Sequence, residues 1–347
     1  MEKTAGGRKV SRERSQFRAL LATNPNFFGT LEGAELPSVT EKAGDTTYEE
    51  LVCVGYHPGR AELEATVIQK LGSGYSGGPC SPGSREYVRF FVDDGSGWQD
   101  AGLAGAGVTD LDVEDDCEGE STHPLHHALT VSWDPDRDAC VEPRFVDVRA
   151  ILSWDVPPPA GQEDRSPVWG DVLECTIQVA PDPSPALSDL IDLDELLEVI
   201  ELPQPLLPML DQPLELPAPA ADSLRDLAER GLEHDVEPHR FAFAKSLELT
   251  GGPDLTADVL NAAIGDFGEY DLDLSQILEA IEETEGDTSY EELECVGLDN
   301  SRERLVATFR VKRPSGYSGT LCEKGSTEYV AFWADWDDSC EWSYLGT

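Results

Sequence analysis

The sequence has little positive charge. Only 25 Lys and Arg residues stand against 69 Asp and Glu residues, and the formal net charge of the 347 residues is -44. A chain this anionic is repelled by nucleic-acid backbones and by anionic membrane surfaces, which excludes both as default partners. The sequence also has no run of 18 apolar residues, so we expect no membrane insertion. Apolar residues still make up 39% of the chain, which is enough for folded cores, and its length leaves room for two or three domains.

Two further features are missing. None of the 8 cysteines belongs to a C-x-x-C pair, so the common zinc and redox spacings are absent. The first residues, MEKTAGGRKV, are polar, and no apolar core of a Sec-type signal peptide follows them. Two interpretations stay open: export by a non-Sec route to the cell surface or beyond, which we prefer, or a cytosolic protein whose cysteines are buried.

The clearest positive feature is an internal repeat. Residues 45–93 align without a gap to residues 287–335, and 27 of the 49 positions are identical. The motif D-T-T-Y-E-E-L of the first copy returns as D-T-S-Y-E-E-L in the second, and S-G-Y-S-G at 73–77 returns at 315–319. The chain therefore contains two homologous domains.

Each copy shows the period-two alternation of apolar and polar residues that is typical of strands with one buried face. Leu63, Ala65 and Val67 form one such row, and the same positions of the second copy are also apolar. About seven short strands in about 135 residues predict an immunoglobulin-like antiparallel β-sandwich for the first copy, with a closed barrel as the alternative. The chain as a whole is predicted to be mainly β.

The second copy reaches Thr347 before the positions that would match the latter half of the first copy, so we predict an incomplete second sandwich. A fragment of a longer protein is our first explanation, and completion by strands of another chain is the alternative. The predicted order is an N-terminal segment with a short helix at 1–39, the first sandwich at 40–180, a Pro-, Leu- and acid-rich linker at 181–220, a small acidic helical segment at 221–286 and the N-terminal half of the second sandwich at 287–347.

One motif suggests nucleophilic catalysis. The segment G-Y-S-G-G at 74–78 matches the G-x-S-x-G pattern around a catalytic serine, here Ser76. That pattern needs a helix directly after the serine, and Pro79 and Pro82 prevent one. We interpret the segment as a glycine-rich loop between strands, and a hydrolase with a loop-built site near Ser76 and His126 is the alternative.

Metal ligands are the next candidates. His123, His126 and His127 follow Cys117 and precede Cys140, but the spacing matches no known zinc class, and we interpret these histidines as the solvated start of a strand. Acidic loops could bind calcium, a hard cation that prefers carboxylates, although none has the EF-hand spacing. The calcium candidates are Asp93, Asp94, Asp335, Asp337 and Asp338. No other cofactor is expected.

The cysteines are candidates for structural disulfides. Cys53 and Cys80 have the same separation as Cys295 and Cys322, which suggests one disulfide within each copy, contributing about 2–4 kcal/mol in an oxidising compartment. Cys175 is an alternative partner for Cys53. The full set of disulfide candidates is Cys53, Cys80, Cys117, Cys140, Cys295 and Cys322. Cys340 has no counterpart in the first copy, so we expect it to be free or paired with a missing segment.

The tandem copies, the Pro-rich spacer and the acidic surface together resemble bacterial surface or secreted proteins that are built from immunoglobulin-like repeats. The resemblance is one of architecture, covers only the two sandwich regions, and points to no characterised family. It implies a non-enzymatic structural or protein-interaction protein that presents β-sandwich modules, with no catalytic residues carried over. The expected partner is a protein, either a second copy of this chain or a chain that completes the second sandwich. A hydrolase and a calcium-stabilised binding module are the alternatives.

Overall fold

The computed structural model describes residues 11–31, 33–111, 124–138, 142–181, 236, 286–317, 321, 326–336 and 339–347. In this part of the chain the fold is mainly β, with mostly antiparallel pairing, which confirms that coarse prediction. The predicted linker and helical segment lie outside the described residues, apart from residues 181, 236 and 286. Among the described helices, none is both long and apolar enough to cross a membrane.

Two short helices come before the strands. They are α1 (Arg12–Ser15) and α2 (Phe17–Thr23), and Ser11 caps the first by accepting a hydrogen bond from the backbone N–H of Arg14. The strands of the first half are β1 (Glu49–His57), β2 (Glu62–Gln69), β3 (Ser84–Asp93), β4 (Gln99–Val108), β5 (Leu125–Ser132), β6 (Arg144–Trp154) and β7 (Val172–Val179). The described strands of the second half are β8 (Glu291–Asp299), β9 (Arg304–Val311), β10 (Phe332–Ala334) and β11 (Ser343–Gly346).

The described strands form three sheets. One has the order β4-β3-β6-β7, a second has the order β1-β2-β5-β8-β9, and β10 pairs with β11. The pairing of β5 with β8 is parallel and rests on a single pair of residues, His127 and Leu298, whereas the other strand pairs are antiparallel. The second copy therefore joins the sheet of the first copy through β8.

One apolar cluster receives side chains from both of the larger sheets. The alternating row Leu63, Ala65 and Val67 of β2 is at most 1% exposed, and it shares the cluster with Val148 and Leu152 of β6, which are 0% exposed. Burying one large aliphatic side chain stabilises a fold by about 1.5–3 kcal/mol. The cluster thus explains why the first copy keeps this strand arrangement.

A second apolar cluster holds the N-terminal helices against the strands. Phe17 of α2 lies 5.5 Å from Trp154 and 4.7 Å from Trp169, measured between ring centroids. Phe28 packs against the same tryptophan, Trp169, at 5.4 Å. This aromatic group closes one end of the first copy and fixes the position of α1.

The repeat in the sequence is also a repeat in the structure. The hairpins β1-β2 and β8-β9 have the same register, and each contains a bulge at the same place, between Leu51 and Cys53 and between Leu293 and Cys295. Because a bulge shifts the alternation by one residue, Leu51 faces the apolar cluster while Cys53 faces away from it. Cys295 has the matching position in the second copy.

Candidate functional site

The outward face of the β1-β2 hairpin is covered by the β8-β9 hairpin. Glu62, Glu64 and Thr66 alternate with the apolar row of β2, yet they are only 7%, 5% and 1% exposed. An ideal Cβ placed on Gly55 would lie 3.1 Å from the side chain of Thr308 in β9, so the backbone of β1 lies directly against that side chain. We call this contact between the two copies the joint.

A disulfide bond crosses the joint. Cys53 of β1 is bonded to Cys295 of β8, with 6.3 Å between the Cα atoms and a sequence separation of 242 residues. That separation equals the repeat offset, so the two cysteines are equivalent positions of the two copies. Equivalent faces therefore meet each other, as they do in an interface between two identical subunits.

The prediction of one disulfide bond within each copy is wrong. Cys53 and Cys295 are bonded to each other, while Cys80 is free and exposed. Cys175, the other predicted partner for Cys53, is also free and packs against the apolar cluster of the first copy. Cys340 is disulfide-bonded. The remaining candidates, Cys117, Cys140 and Cys322, lie outside the described residues.

Charges of opposite sign add to the joint. Glu62 receives a hydrogen bond of 2.6 Å from the guanidinium of Arg304, which is the equivalent position of the second copy. Burial alone would raise the pKa of Glu62, but the hydrogen bonds from Arg304 and Arg60 outweigh it and lower the pKa. Thr130 of β5 donates a hydrogen bond of 2.8 Å to the carboxylate of Asp299 in β8. These contacts fix the second copy in one orientation on the first.

The opposite face of the β8-β9 hairpin is apolar and exposed, and we call it the open face. Leu293 is 53% exposed, whereas Leu51, its equivalent in the first copy, is 3% exposed. Phe309 is 41% exposed, whereas its equivalent, Val67, is 0% exposed. The open face consists of Leu293, Val296, Leu298, Phe309 and Val311, which are between 37% and 55% exposed.

Exposed aromatic residues also occur on and around β10 and β11. Trp333 of β10 is 54% exposed and contacts Tyr344 of β11, with 5.2 Å between the ring centroids. Trp336 and Trp342 are 75% and 66% exposed. Large apolar and aromatic patches of this kind mark interaction surfaces on soluble proteins. The open face is the candidate functional site, and the exposed aromatic residues are a further apolar surface of the second copy.

A different kind of site lies at the closed end of the first copy, where Arg14 is fully buried. Its guanidinium donates two parallel hydrogen bonds of 2.9 and 2.8 Å to the Glu49 carboxylate, and its Nε donates one of 2.9 Å to the carbonyl of Gly74. The ring centroids of Tyr48 and Trp154 lie 4.0 and 3.8 Å from the guanidinium carbon. Arg14 is thus held by a carboxylate, a carbonyl and aromatic faces at once.

Glu86 lies near this arginine and is also buried. It is 1% exposed, and neither of its carboxylate oxygens has a hydrogen-bond partner. Burial, reinforced by the negative charge of Glu49, holds the pKa of Glu86 well above its usual range, while Arg14 opposes this effect only in part. The folded protein therefore favours the protonated form of Glu86 more strongly than water does for an exposed glutamate.

The loop around Ser76 binds a carboxylate of the same chain. The backbone N–H groups of Gly74 and Tyr75 each donate a hydrogen bond of 2.7 Å to one oxygen of Asp110, and the N–H of Gly77 donates one of 2.9 Å to the other oxygen. Ser76 itself is exposed and has a positive φ of 65°. The glycine-rich motif thus forms a backbone nest around Asp110.

His126 and His127 form hydrogen bonds with residues of neighbouring strands. His126 Nδ1 lies 3.1 Å from the carbonyl oxygen of Val296, across the joint, and His127 Nε2 lies 3.2 Å from the side-chain oxygen of Gln69. Burial, with a smaller effect from His126, lowers the pKa of His127. Within the described ranges, no hydrogen bond joins Ser76 to His126. His123 lies outside the described residues.

Some of the acidic residues that the sequence offers as calcium ligands cap turns instead. Asp93 accepts hydrogen bonds of 2.8 and 2.9 Å from the N–H groups of Gly95 and Gly97, and Asp94 pairs with Arg144 at 3.1 Å. Asp335 accepts hydrogen bonds from two backbone N–H groups of its own loop. Asp337 and Asp338 lie outside the described residues. In the described part of the chain, no three acidic, histidine or cysteine side chains are grouped closely enough to hold a metal ion.

Comparison with known proteins adds little. No family model matches this chain, and no curated protein matches it. Among solved structures, the periplasmic chaperone SfaE aligns with a TM-score of 0.21 and 10% sequence identity, over 39% of this chain and 57% of that chain.

Proposed function

We propose that this chain is a non-enzymatic protein-interaction protein. In this proposal the first copy is an immunoglobulin-like β-sandwich, the joint fixes the second copy on it, and the open face binds a protein partner. The observation that carries the proposal is the contrast between equivalent residues: Leu293 and Phe309 are exposed, whereas Leu51 and Val67 are buried.

The first copy indicates what kind of partner the open face would accept. There, Leu51 and Val67 share the buried apolar cluster with Val146, Val148 and Ala150 of β6, which belongs to the opposite sheet. Chemically similar side chains line the open face, so we infer that it accepts a segment with the same alternation of apolar and polar residues. The partner would therefore supply β-strands rather than a charged or helical surface.

The N-terminal segment provides matched controls for a binding experiment. Val39 is 65% exposed and Leu36 is 50% exposed, so each resembles an open-face residue in size and accessibility but lies elsewhere in the chain. Substituting Val39 by Glu changes hydrophobicity and charge as Phe309→Glu does. A difference between the two variants therefore reports on the open face alone.

The experiment uses a fluorescent peptide with the sequence of residues 142–181, which contains β6 and β7, and measures its binding to the full chain by anisotropy. We expect saturable binding that Leu293→Glu and Phe309→Glu each weaken at least tenfold and that Val39→Glu leaves unchanged. No binding, or binding that the open-face variants do not affect, would contradict the proposal. Turnover of an ester, peptide or glycoside substrate that Ser76→Ala abolishes would favour a hydrolase instead.

A further inference from the structure

The residues that bind Arg14 are duplicated in the second copy. In the first copy they are Tyr48, Glu49, Gly74 and Tyr75, with Glu86 beside them, and Trp154 adds one more aromatic face. The equivalent positions at the repeat offset are identical in all five cases: Tyr290, Glu291, Gly316, Tyr317 and Glu328. By comparison, 27 of the 49 aligned positions are identical overall.

The geometry around Tyr290 is duplicated as well. The two carboxylates differ, because Glu291 is half-buried and Glu328 is exposed, whereas their equivalents in the first copy are buried. The hydroxyl of Tyr317 donates a hydrogen bond of 2.9 Å to the carbonyl of Tyr290, as the hydroxyl of Tyr75 does to the carbonyl of Tyr48 at 2.6 Å. Gly316 has a φ of 103° and lies so close to the Tyr290 ring that an ideal Cβ would be 2.4 Å from a ring carbon. Gly74 has the same relation to Tyr48, with a φ of 117° and 2.6 Å.

The chain contains a second copy of the arginine segment. Arg14 is preceded by a valine four residues earlier and followed by Phe17, so that the pattern is V-x-x-x-R-x-x-F. The same pattern occurs once more, with Val236, Arg240 and Phe243, and R-x-x-F occurs nowhere else in the sequence. Both segments come before a D-T-[TS]-Y-E-E-L motif. Val236 is 5% exposed, so this segment begins with a buried residue.

We propose that Tyr290, Glu291, Gly316 and Tyr317 form an arginine-binding cage in the second copy, and that its ligand is the side chain of Arg240. Arg240 lies outside the described residues, and the assignment follows from the duplication of both the cage and the segment. A carboxylate that can accept two parallel hydrogen bonds, placed beside an aromatic ring, selects a guanidinium over an ammonium group. The repeat unit would then include its own arginine segment.

One other cation has to be separated from Arg240. The guanidinium carbon of Arg313 lies 4.6 Å from the ring centroid of Tyr290, and the equivalent residue of the first copy is Leu71, which packs in the aromatic cluster. Arg313→Leu therefore restores the residue of the first copy and removes this cation without changing Arg240. Arg225→Ala, in the same acidic stretch as Arg240, controls for the loss of one positive charge.

The test is hydrogen exchange of the full chain, followed at the amides around Tyr290 and around Tyr48. We expect Arg240→Ala to accelerate exchange around Tyr290 at least tenfold and to leave exchange around Tyr48 unchanged, while Arg14→Ala has the opposite pattern. Arg225→Ala and Arg313→Leu should change neither region. If Arg240→Ala leaves exchange around Tyr290 unchanged, or if Arg313→Leu alone accelerates it, the proposal is wrong.

A rescue experiment covers the case in which Arg240→Ala unfolds the second copy. A synthetic peptide of residues 234–247, added to the Arg240→Ala protein, is expected to restore slow exchange around Tyr290. The same peptide with alanine in place of Arg240 is expected to have no effect. Equal effects of the two peptides, or no effect of either, would overturn the assignment.

Discussion

Cys53 and Cys295 occupy the same position in the two copies of the repeat and are bonded to each other. The bond lies on the outward faces of the two hairpins, where Glu62 of the first copy meets Arg304 at the same position of the second. A duplication that produced two independent units would leave these faces to solvent. Here the outward faces of the two hairpins are buried against each other. The two copies therefore form one folded unit, and the disulfide bond links them covalently.

The disulfide across the joint is expected to stabilise the packing of the two copies. Because it closes a loop of 242 residues, its removal should lower the free energy of unfolding by about 5–6 kcal/mol in the chain-entropy account. Cys53→Ser and Cys295→Ser should have equal effects in denaturant unfolding, and Cys80→Ser, which removes a free thiol, should have none. Equal stability of Cys53→Ser and Cys80→Ser would argue against the bond.

The joint could not be predicted from the alternation of apolar residues. The pattern assigns Leu63, Ala65 and Val67 to a core, which the structure confirms, and it assigns the intervening Glu64 and Thr66 to solvent. Those two side chains are buried because a second copy of the same hairpin covers this face. The change from Glu62 to Arg304 at equivalent positions was a signal, because a self-complementary face needs opposite charges where equivalent residues meet.

The cysteine pairing was mispredicted for a related reason. Equal spacing of Cys53 and Cys80 in both copies suggested a bond within each copy, but the bulge after Leu51 turns Cys53 away from that loop and toward the joint. The buried arginine lies outside the aligned repeat, so comparison of the copies alone did not reveal it. Its position four residues after a valine and three before Phe17 becomes informative only when the cage is known.

Arg14 is predicted to be one of the most sensitive single positions in the first copy. Its side chain and that of Glu49 are both 0% exposed, so removing either partner leaves a buried charge and should cost about 3–5 kcal/mol of stability. Arg18→Ala is the matched control, because Arg18 is 67% exposed and its pair with Asp155 is worth about 1 kcal/mol or less. Thermal or denaturant unfolding of the two variants measures the difference.

A double variant sharpens that prediction. Replacing Arg14 by Met and Glu49 by Leu removes both charges and fills the space with apolar groups, which often restores the stability that a single substitution loses. We expect the double variant to be more stable than Arg14→Ala. If the double variant were as unstable as the single one, the arginine would matter for its shape and its bond to the Gly74 carbonyl rather than for its charge.

The loop around Ser76 should depend on Asp110 and not on the serine. Asp110→Ala leaves the N–H groups of Gly74, Tyr75 and Gly77 without their acceptor and should cost at least about 2 kcal/mol of stability. Ser76→Ala removes an exposed hydroxyl and should change stability by less than about 0.5 kcal/mol. Denaturant unfolding of both variants tests this contrast, and a large loss with Ser76→Ala would contradict it.

Glu86 should make the protein less stable as the pH rises. Burial, together with the nearby Glu49 carboxylate, raises the pKa of Glu86 well above its usual value of 4.5, so the folded state keeps a proton that the unfolded state releases. The stability gained from this proton is fully present below pH 4.5 and is lost as the pH rises through the raised pKa. Glu86→Gln keeps a neutral side chain of the same shape at every pH. The measurement is denaturant unfolding of both proteins at a series of pH values. As the pH increases, the variant should become progressively more stable than the wild-type protein. A difference in the free energy of unfolding that stays constant with pH would show that Glu86 does not titrate in this way.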